Sequence, residues 1–307
     1  MIVMLGADAG GTKVEALAES VDGRRHEAHG PACNLQRLGN DAAADVLERL
    51  VRELLAHYPD ATRLVLAAGL SGAGNPADRE QLTRTLLARF NDLPLDTTIV
   101  VTHDADIALE GAFGTGSGFI VIAGTGSVVM ARSHDGTLHR KGGWGYLLGD
   151  EGSGYAVGMA ALRHLAAVLD DALPPSALSG ALQRELALPD QAALIQAVYR
   201  ENFPVQRAAP WVCRAAETGD DAALDVLTDQ ATRLAAQVAL LARSLGENVA
   251  PAVALLGGLT RETVYRDTLT HAIRHAVAAD GRAWAIAPLP CTPVEGALRM
   301  ARRIATP

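Results

Sequence analysis

Residues 11–23 read Gly11-Thr12-Lys13-Val14-Glu15-Ala16-Leu17-Ala18-Glu19-Ser20-Val21-Asp22-Gly23. A second stretch, Gly124-Thr125-Gly126-Ser127-Val128-Val129-Met130-Ala131-Arg132-Ser133-His134-Asp135-Gly136, aligns on it without a gap. Six of the thirteen positions are identical, both ends included. Each copy follows an apolar run, Ile2–Leu5 or Phe119–Ala123, that enters a Gly-Thr turn. A second strand leaves the turn, and Asp-Gly closes the next hairpin. The matched order of elements, more than the identities, indicates an internal duplication.

Working outward, Leu64–Ala68, Ile99–Val101 and Val253–Leu256 are short apolar runs rich in β-branched residues and read as buried strands. Helical patterns lie between them. Asp41–Tyr58 places Val46, Leu47, Leu50, Val51, Leu54 and Leu55 on one face and stops before Pro59. Asn75 caps a helix with Pro76 in its first turn, burying Leu82, Leu86, Leu87 and Phe90. Asp220–Leu245 and Arg261–Ala279 are long helical segments, and Thr292-Pro293-Val294-Glu295 has the form of a capping box. Strands alternating with helices give an α/β fold. Gly69-Leu70-Ser71 and Gly258-Leu259-Thr260 each follow a buried strand at comparable places in the two copies. One half is expected over about residues 1–113 with the final helix, 292–307, returning to it. The other spans about 114–291, lengthened by helical insertions near 155–246. Two such halves facing each other would form a cleft lined by both glycine turns.

Composition narrows the function classes. At 307 residues the chain suits two domains, and 49% hydrophobic content excludes a disordered one. No apolar run approaches the about 18 residues of a membrane span, and no basic segment precedes Met1–Leu5 to make a signal peptide. The net charge of −8, with no local Lys/Arg cluster, argues against nucleic acid as a partner. Cys33, Cys213 and Cys291 are odd in number and far apart, so no thiolate metal site or disulfide framework is readable and a cytoplasmic location is expected.

The 30 glycines are bunched rather than scattered. Asp8-Ala9-Gly10-Gly11-Thr12-Lys13 frees backbone N–H groups for an anion and adds a hydroxyl and a cation. Gly124-Thr125-Gly126-Ser127 supplies the equivalent turn in the second half, and two such turns suit the phosphates of a nucleotide. Asp8 is placed to hold Mg²⁺ through water, since an acidic protein must bind so anionic a ligand by local dipoles and a metal. In Thr102-His103-Asp104-Ala105-Asp106 a strand gives way to a helix, and a carboxylate there can accept a proton from an attacking hydroxyl. Asp104 and Asp106 compete for that role, Asp104 lying nearer the strand end; helix capping is the bland reading of either. Gly142-Gly143-Trp144-Gly145-Tyr146-Leu147-Leu148-Gly149-Asp150-Glu151-Gly152-Ser153-Gly154 is too glycine-rich for an ordinary connector, and its carboxylates and aromatics suit sugar hydroxyls and a pocket wall. Leu255-Leu256-Gly257-Gly258-Leu259 would let an adenine ring pack on backbone. His103, His271 and His275 lack metal-ligand spacing and read as solvated or capping residues.

Together these motifs resemble the sugar kinase, heat-shock cognate and actin ATPase superfamily, and within it the N-acetylglucosamine kinase and BadF/BadG/BcrA/BcrD ATPase family. The resemblance spans nearly the whole chain and is most specific at 142–153. It implies two ribonuclease-H-like (actin-like ATPase) domains with a nucleotide and sugar cleft between them, ATP and Mg²⁺, and dimers. The implied activity is transfer of the ATP γ-phosphate to the 6-hydroxyl of N-acetylglucosamine or glucosamine. Asp104 then matches the base, and Asn34, Ser71, Trp144, Gly145 and Asp150 match the sugar pocket. Thr12 and Thr125 match phosphate contacts, Gly257 and Gly258 the adenosine motif, and Ala209 falls near a nucleotide contact. Glu151 and Asp106 leave either amino sugar open. The paired cysteines of the dehydratase activators and the Cys/His zinc motif of the other bacterial hexose kinases are both missing. The rival readings are an ATPase that couples nucleotide state to a protein partner, and a polymerising actin-like scaffold.

Overall fold

The structure, a computed structural model, describes residues 1–306. The chain divides into two compact units: Met1–Gly116 joined by the segment from Pro288 onward, and Ser117–Ala287.

In the first unit, β1 (Ile2–Ala9), β2 (Lys13–Ser20) and β3 (Arg25–Pro31) form an antiparallel meander. A short helix α1 (Leu35–Leu38) and α2 (Asn40–Leu55) lead to β4 (Arg63–Leu70). After α3 (Pro76–Arg89) comes β5 (Asp96–His103), and α4 (Asp104–Phe113) closes this part of the chain. The sheet order is β3-β2-β1-β4-β5, with β4 parallel to both β1 and β5. β1 and β4 are buried along most of their length because both sheet faces are covered. Leu47, Leu50, Val51 and Leu54 of α2 and Leu82 and Leu86 of α3 pack with one face.

The second unit repeats this plan. β6 (Gly118–Ala123), β7 (Ser127–Arg132) and β8 (Leu138–Gly142) are again an antiparallel meander. A helical stretch follows: α5 (Gly154–Leu169), α6 (Ala177–Glu185), α7 (Gln191–Tyr199), α8 (Ala209–Glu217) and α9 (Asp221–Leu245). Then come β9 (Ala252–Leu256), α10 (Thr263–Ala276) and the two-residue β10 (Ala285–Ile286). The order β10-β9-β6-β7-β8 is the first sheet's order position for position, with β9 parallel to β6 and to β10. In the first unit α11 (Pro293–Ala305) lies on the sheet face opposite α2 and α3, where Leu298 and Ala301 meet Met4, Val65 and Ala67.

The duplication extends to side-chain chemistry. The Ser20 amide donates to the Arg24 carbonyl at 3.0 Å, and the Ser133 amide to the Thr137 carbonyl at 3.0 Å. Ser20 Oγ donates to Asp22, as Ser133 Oγ does to Asp135. Gly23 and Gly136 then turn the chain at φ +88° and +85°, a region side chains disfavour. Gly10–Lys13 spans four residues between paired strands, against three in Gly124–Gly126.

Two local expectations are corrected. Only half of the C-terminal capping box forms: Thr292 accepts from the Glu295 amide at 3.4 Å, while the Glu295 carboxylate pairs with Arg25 at 2.8 Å. Leu87 of α3 is exposed rather than buried, because it projects away from the face that carries Leu82 and Leu86.

Candidate active site

Three parallel strands of the first unit end side by side. Ala9 pairs with Leu70, and Leu70 with His103, so Asp8, Ser71 and Asp104 share the C-terminal sheet edge. Open α/β sheets bind ligands at that edge. Burial pushes the Asp8 carboxyl up to about 7; the charges of Asp104 and Glu15 add to the rise and Lys13 opposes it. A desolvated carboxyl facing two others suits a hard cation. Among the described residues no group of three or more His, Cys, Asp or Glu could hold a metal, so Asp8 would share any Mg²⁺ with water and phosphate oxygens.

Asp104 and Asp106 have different surroundings. Thr102 Oγ1 donates to the Asp106 carboxylate and turns it back on its own strand. His103, not Asp104, caps α4, its Nδ1 accepting from the Ala105 amide at 3.1 Å. Asp104 Oδ1 lies 2.7 Å from that same ring nitrogen, and its charge is felt by Asp8.

The Gly10–Lys13 turn is closed by the Gly10 amide donating to the Lys13 carbonyl at 3.0 Å, leaving Gly11, Thr12 and Lys13 exposed. The Gly10 carbonyl accepts from the Cys33 amide at 2.9 Å, which brings Asn34 alongside. Asn34 Nδ2 donates to Ser71 Oγ at 3.0 Å, and Asn34 Oδ1 caps α1 by accepting from the Arg37 amide at 3.1 Å. Fixed in this way, the pair still offers one amide proton and the Ser71 hydroxyl proton to a ligand.

In the second unit the Gly124–Ser127 turn is enclosed by the glycine-rich block. The Gly154 amide donates to the Gly124 carbonyl at 2.7 Å, the Tyr155 amide to the Thr125 carbonyl at 3.2 Å, and Ser127 Oγ to the Glu151 carbonyl at 2.7 Å. Asp150 sits beneath the turn, buried, with left-handed backbone at φ +64°. Desolvation raises its carboxyl above the usual range, opposed by the amides of Ser127 and Gly145. Gly257 packs on the end of β6: a Cβ there would lie 2.3 Å from the Ala123 carbonyl oxygen. Trp144, Tyr146, Leu147 and Leu148 form an exposed apolar run around Gly145, and the Arg140 guanidinium stacks 5.6 Å from the Trp144 ring. Ala209 opens α8 with its side chain in the core, leaving only backbone to offer a ligand.

Three supports went unread in the sequence. Gln237 Nε2 donates to Glu151 Oε2 at 2.6 Å, Gln230 Oε1 accepts from the Gly152 amide at 3.2 Å, and Tyr265 donates to the Gly152 carbonyl. Their trace is two glutamines one heptad apart on α9, Gln230 lying between the buried Leu227 and Leu234.

A mixed five-stranded unit built twice, each copy opening on a glycine turn at the head of its second strand, defines an ATPase of the actin-like fold. The chain belongs to the BadF/BadG/BcrA/BcrD ATPase family, whose model matches residues 5–301. It is similar to the N-acetylmuramic acid/N-acetylglucosamine kinase of Clostridium acetobutylicum, 30% identical over 211 residues, 68% of either chain. It is also similar to the N-acetyl-D-glucosamine kinase of Dictyostelium discoideum, 28% identical over 289 residues that cover 88% of this chain and 90% of that one. The crystal structure of a candidate N-acetylglucosamine kinase from Chromobacterium violaceum matches with a TM-score of 0.73 at 27% identity, covering 97% and 98% of the two chains. No helix among the described residues is long and apolar enough to cross a membrane.

Proposed function

We propose that this protein transfers the γ-phosphoryl group of ATP to the 6-hydroxyl of N-acetylglucosamine, with glucosamine as the second acceptor to test. Membership in an ATPase family and the names of two relatives support the reaction class. The observation that carries the reading is the first unit's sheet edge: Asp104 near Asp8, beside the Gly10–Lys13 turn and the hydrogen-bonded Asn34–Ser71 pair. A partner-coupling ATPase needs the turn but has no use for that pair.

The sugar oxygen forms a bond to the γ-phosphorus as the bond from phosphorus to the β–γ bridging oxygen breaks, and ADP departs with that oxygen. Asp104 takes the hydroxyl proton. Asn34 and Ser71 orient the sugar, while Gly10–Lys13 and Gly124–Ser127 present amides and hydroxyls to the phosphates. Trp144, Gly145 and Asp150 belong to the sugar side, and Gly257, Gly258 and Ala209 to the nucleotide side. Mg²⁺, held at Asp8 through water, supplies charge neutralisation on the phosphates when bound. A homodimer, measurable by light scattering, and a cytoplasmic location go with this reading.

Asp104→Asn is expected to lower kcat with N-acetylglucosamine by about 10²–10⁴-fold with little change in nucleotide affinity. Near wild-type turnover would overturn the assignment. A coupled assay over a hexose and amino-sugar panel tests the acceptor, and ATP turnover unmoved by every sugar would sink the kinase reading.

A further inference from the structure

A groove of about 240 Å³ lies between α5 and α7 in the second unit. Its floor is one stripe of α5, formed by Met159, Leu162, Ala166 and Leu169. Their spacing of three and four residues is that of a helix face made to pack on another helix. Its wall is α7, of which only Ala197 is buried although seven of its nine residues are apolar. Ile195 and Tyr199, one turn apart on that wall, are 47% and 81% exposed. The opening is smaller than most small-molecule sites, which run to about 300–1,000 Å³, but it can take a side chain.

Two charges mark the same edge of α5. Arg163 and Asp170 stand seven residues apart, line the groove and are both exposed. Neither forms an ion pair among the described residues. Asp170 closes the C-terminal end of α5, where the helix dipole is negative, and that last turn holds no basic residue to offset it. The carboxylate thus lacks the cation that its position favours.

We propose that this groove is the interface between two copies of this chain, packed about a two-fold axis that crosses α5 beside Ala166. Antiparallel α5 helices then set Arg163 of one copy on Asp170 of the other, and the symmetry makes that pair twice. The midpoint between the two charges falls between residues 166 and 167, both alanines, so the helices can approach closely at the axis. Ile195 and Tyr199 are covered in the process, the tyrosine being the kind of large amphipathic anchor on which interfaces depend. The inference rests on the homodimer that goes with the reading above and gives it a surface; it does not depend on which group is transferred.

Sedimentation equilibrium of the full chain over a range of concentrations tests it. The unsubstituted protein should be a dimer that weakens in added salt. Arg163→Asp and Asp170→Arg each turn two attractive pairs into two repulsive ones. Each should raise the dimer Kd about a hundredfold, and combining them should restore it. Tyr199→Ala should raise the Kd about tenfold and carries the test if a charge variant does not fold. A monomer at every concentration overturns the inference and leaves the groove to some other occupant. A dimer that both single exchanges and Tyr199→Ala leave intact also overturns it, because the copies then meet on another face. Phosphoryl transfer to a sugar by a monomeric protein would sink this inference while leaving the kinase reading in place.

Discussion

At Asp8 the polypeptide carries a carboxyl whose proton is held up to about 7 by burial first and by the neighbouring Asp104 and Glu15 charges second. Its folded value stands above the ordinary 3.8, so the folded chain retains a proton that the unfolded chain has released. The stability from this group is present below about pH 4 and is lost as pH climbs towards 7. Asp8→Asn should therefore gain on the unsubstituted protein between pH 5 and pH 8 in urea unfolding without ligands. Parallel pH profiles for the two would show that the carboxyl is not desolvated as described. The sequence exposed Asp8 and Asp104 because each follows a strand at a chemically marked turn. It left Asp104 and Asp106 in competition, since the hydroxyl that engages Asp106 is a Thr102 contact no spacing rule encodes. The strained backbone of Asp150 was equally hidden. Its carboxylate lies against Gly126, twenty-four positions earlier, and glycine in a glycine-rich turn gives no hint that a carboxylate occupies its missing side chain.

Among elements, the two Ser-x-Asp-Gly hairpins show what a repeated sequence can encode. Serine, aspartate and glycine each have a fixed task, so the turn is specified within five residues and survives in both copies. A Cβ on Gly136 would meet nothing within 4 Å, so Gly136→Ala isolates the backbone term. It should cost about 1–2 kcal/mol in chemical denaturation, with Gly136→Asn milder. An alanine variant as stable as the parent would mean that the hairpin has relaxed to another turn. The capping box at Thr292 was only half legible, because Arg25, distant in sequence, draws the Glu295 carboxylate away. The helix start marked by Asn75 needed no such distant information, and its side chain accepts the Ala77 amide at 3.0 Å.

For the whole molecule, α/β class and duplication were readable because strand pattern and turn chemistry recur in order, whereas which helix covers which sheet face was not. That is settled by long-range packing such as Leu298 and Ala301 against Met4 and Val65. Arg302 reinforces it with two bonds to Glu19, at 2.9 and 2.6 Å. A chain ended before Pro293 uncovers that face of β1 and β4. It should lose the first unit's cooperative unfolding transition while the second unit, whose core draws on residues 119–286, keeps its own. Two unchanged transitions in calorimetry would refute this dependence. The same layout orders events at the ribosome. The first sheet emerges early, but its covering helix is encoded after the entire second unit. Throughout that interval Met4, Val65 and Ala67 have no partner from α11, so the nascent chain presents a bare apolar face for chaperones to shield until translation passes Ala301.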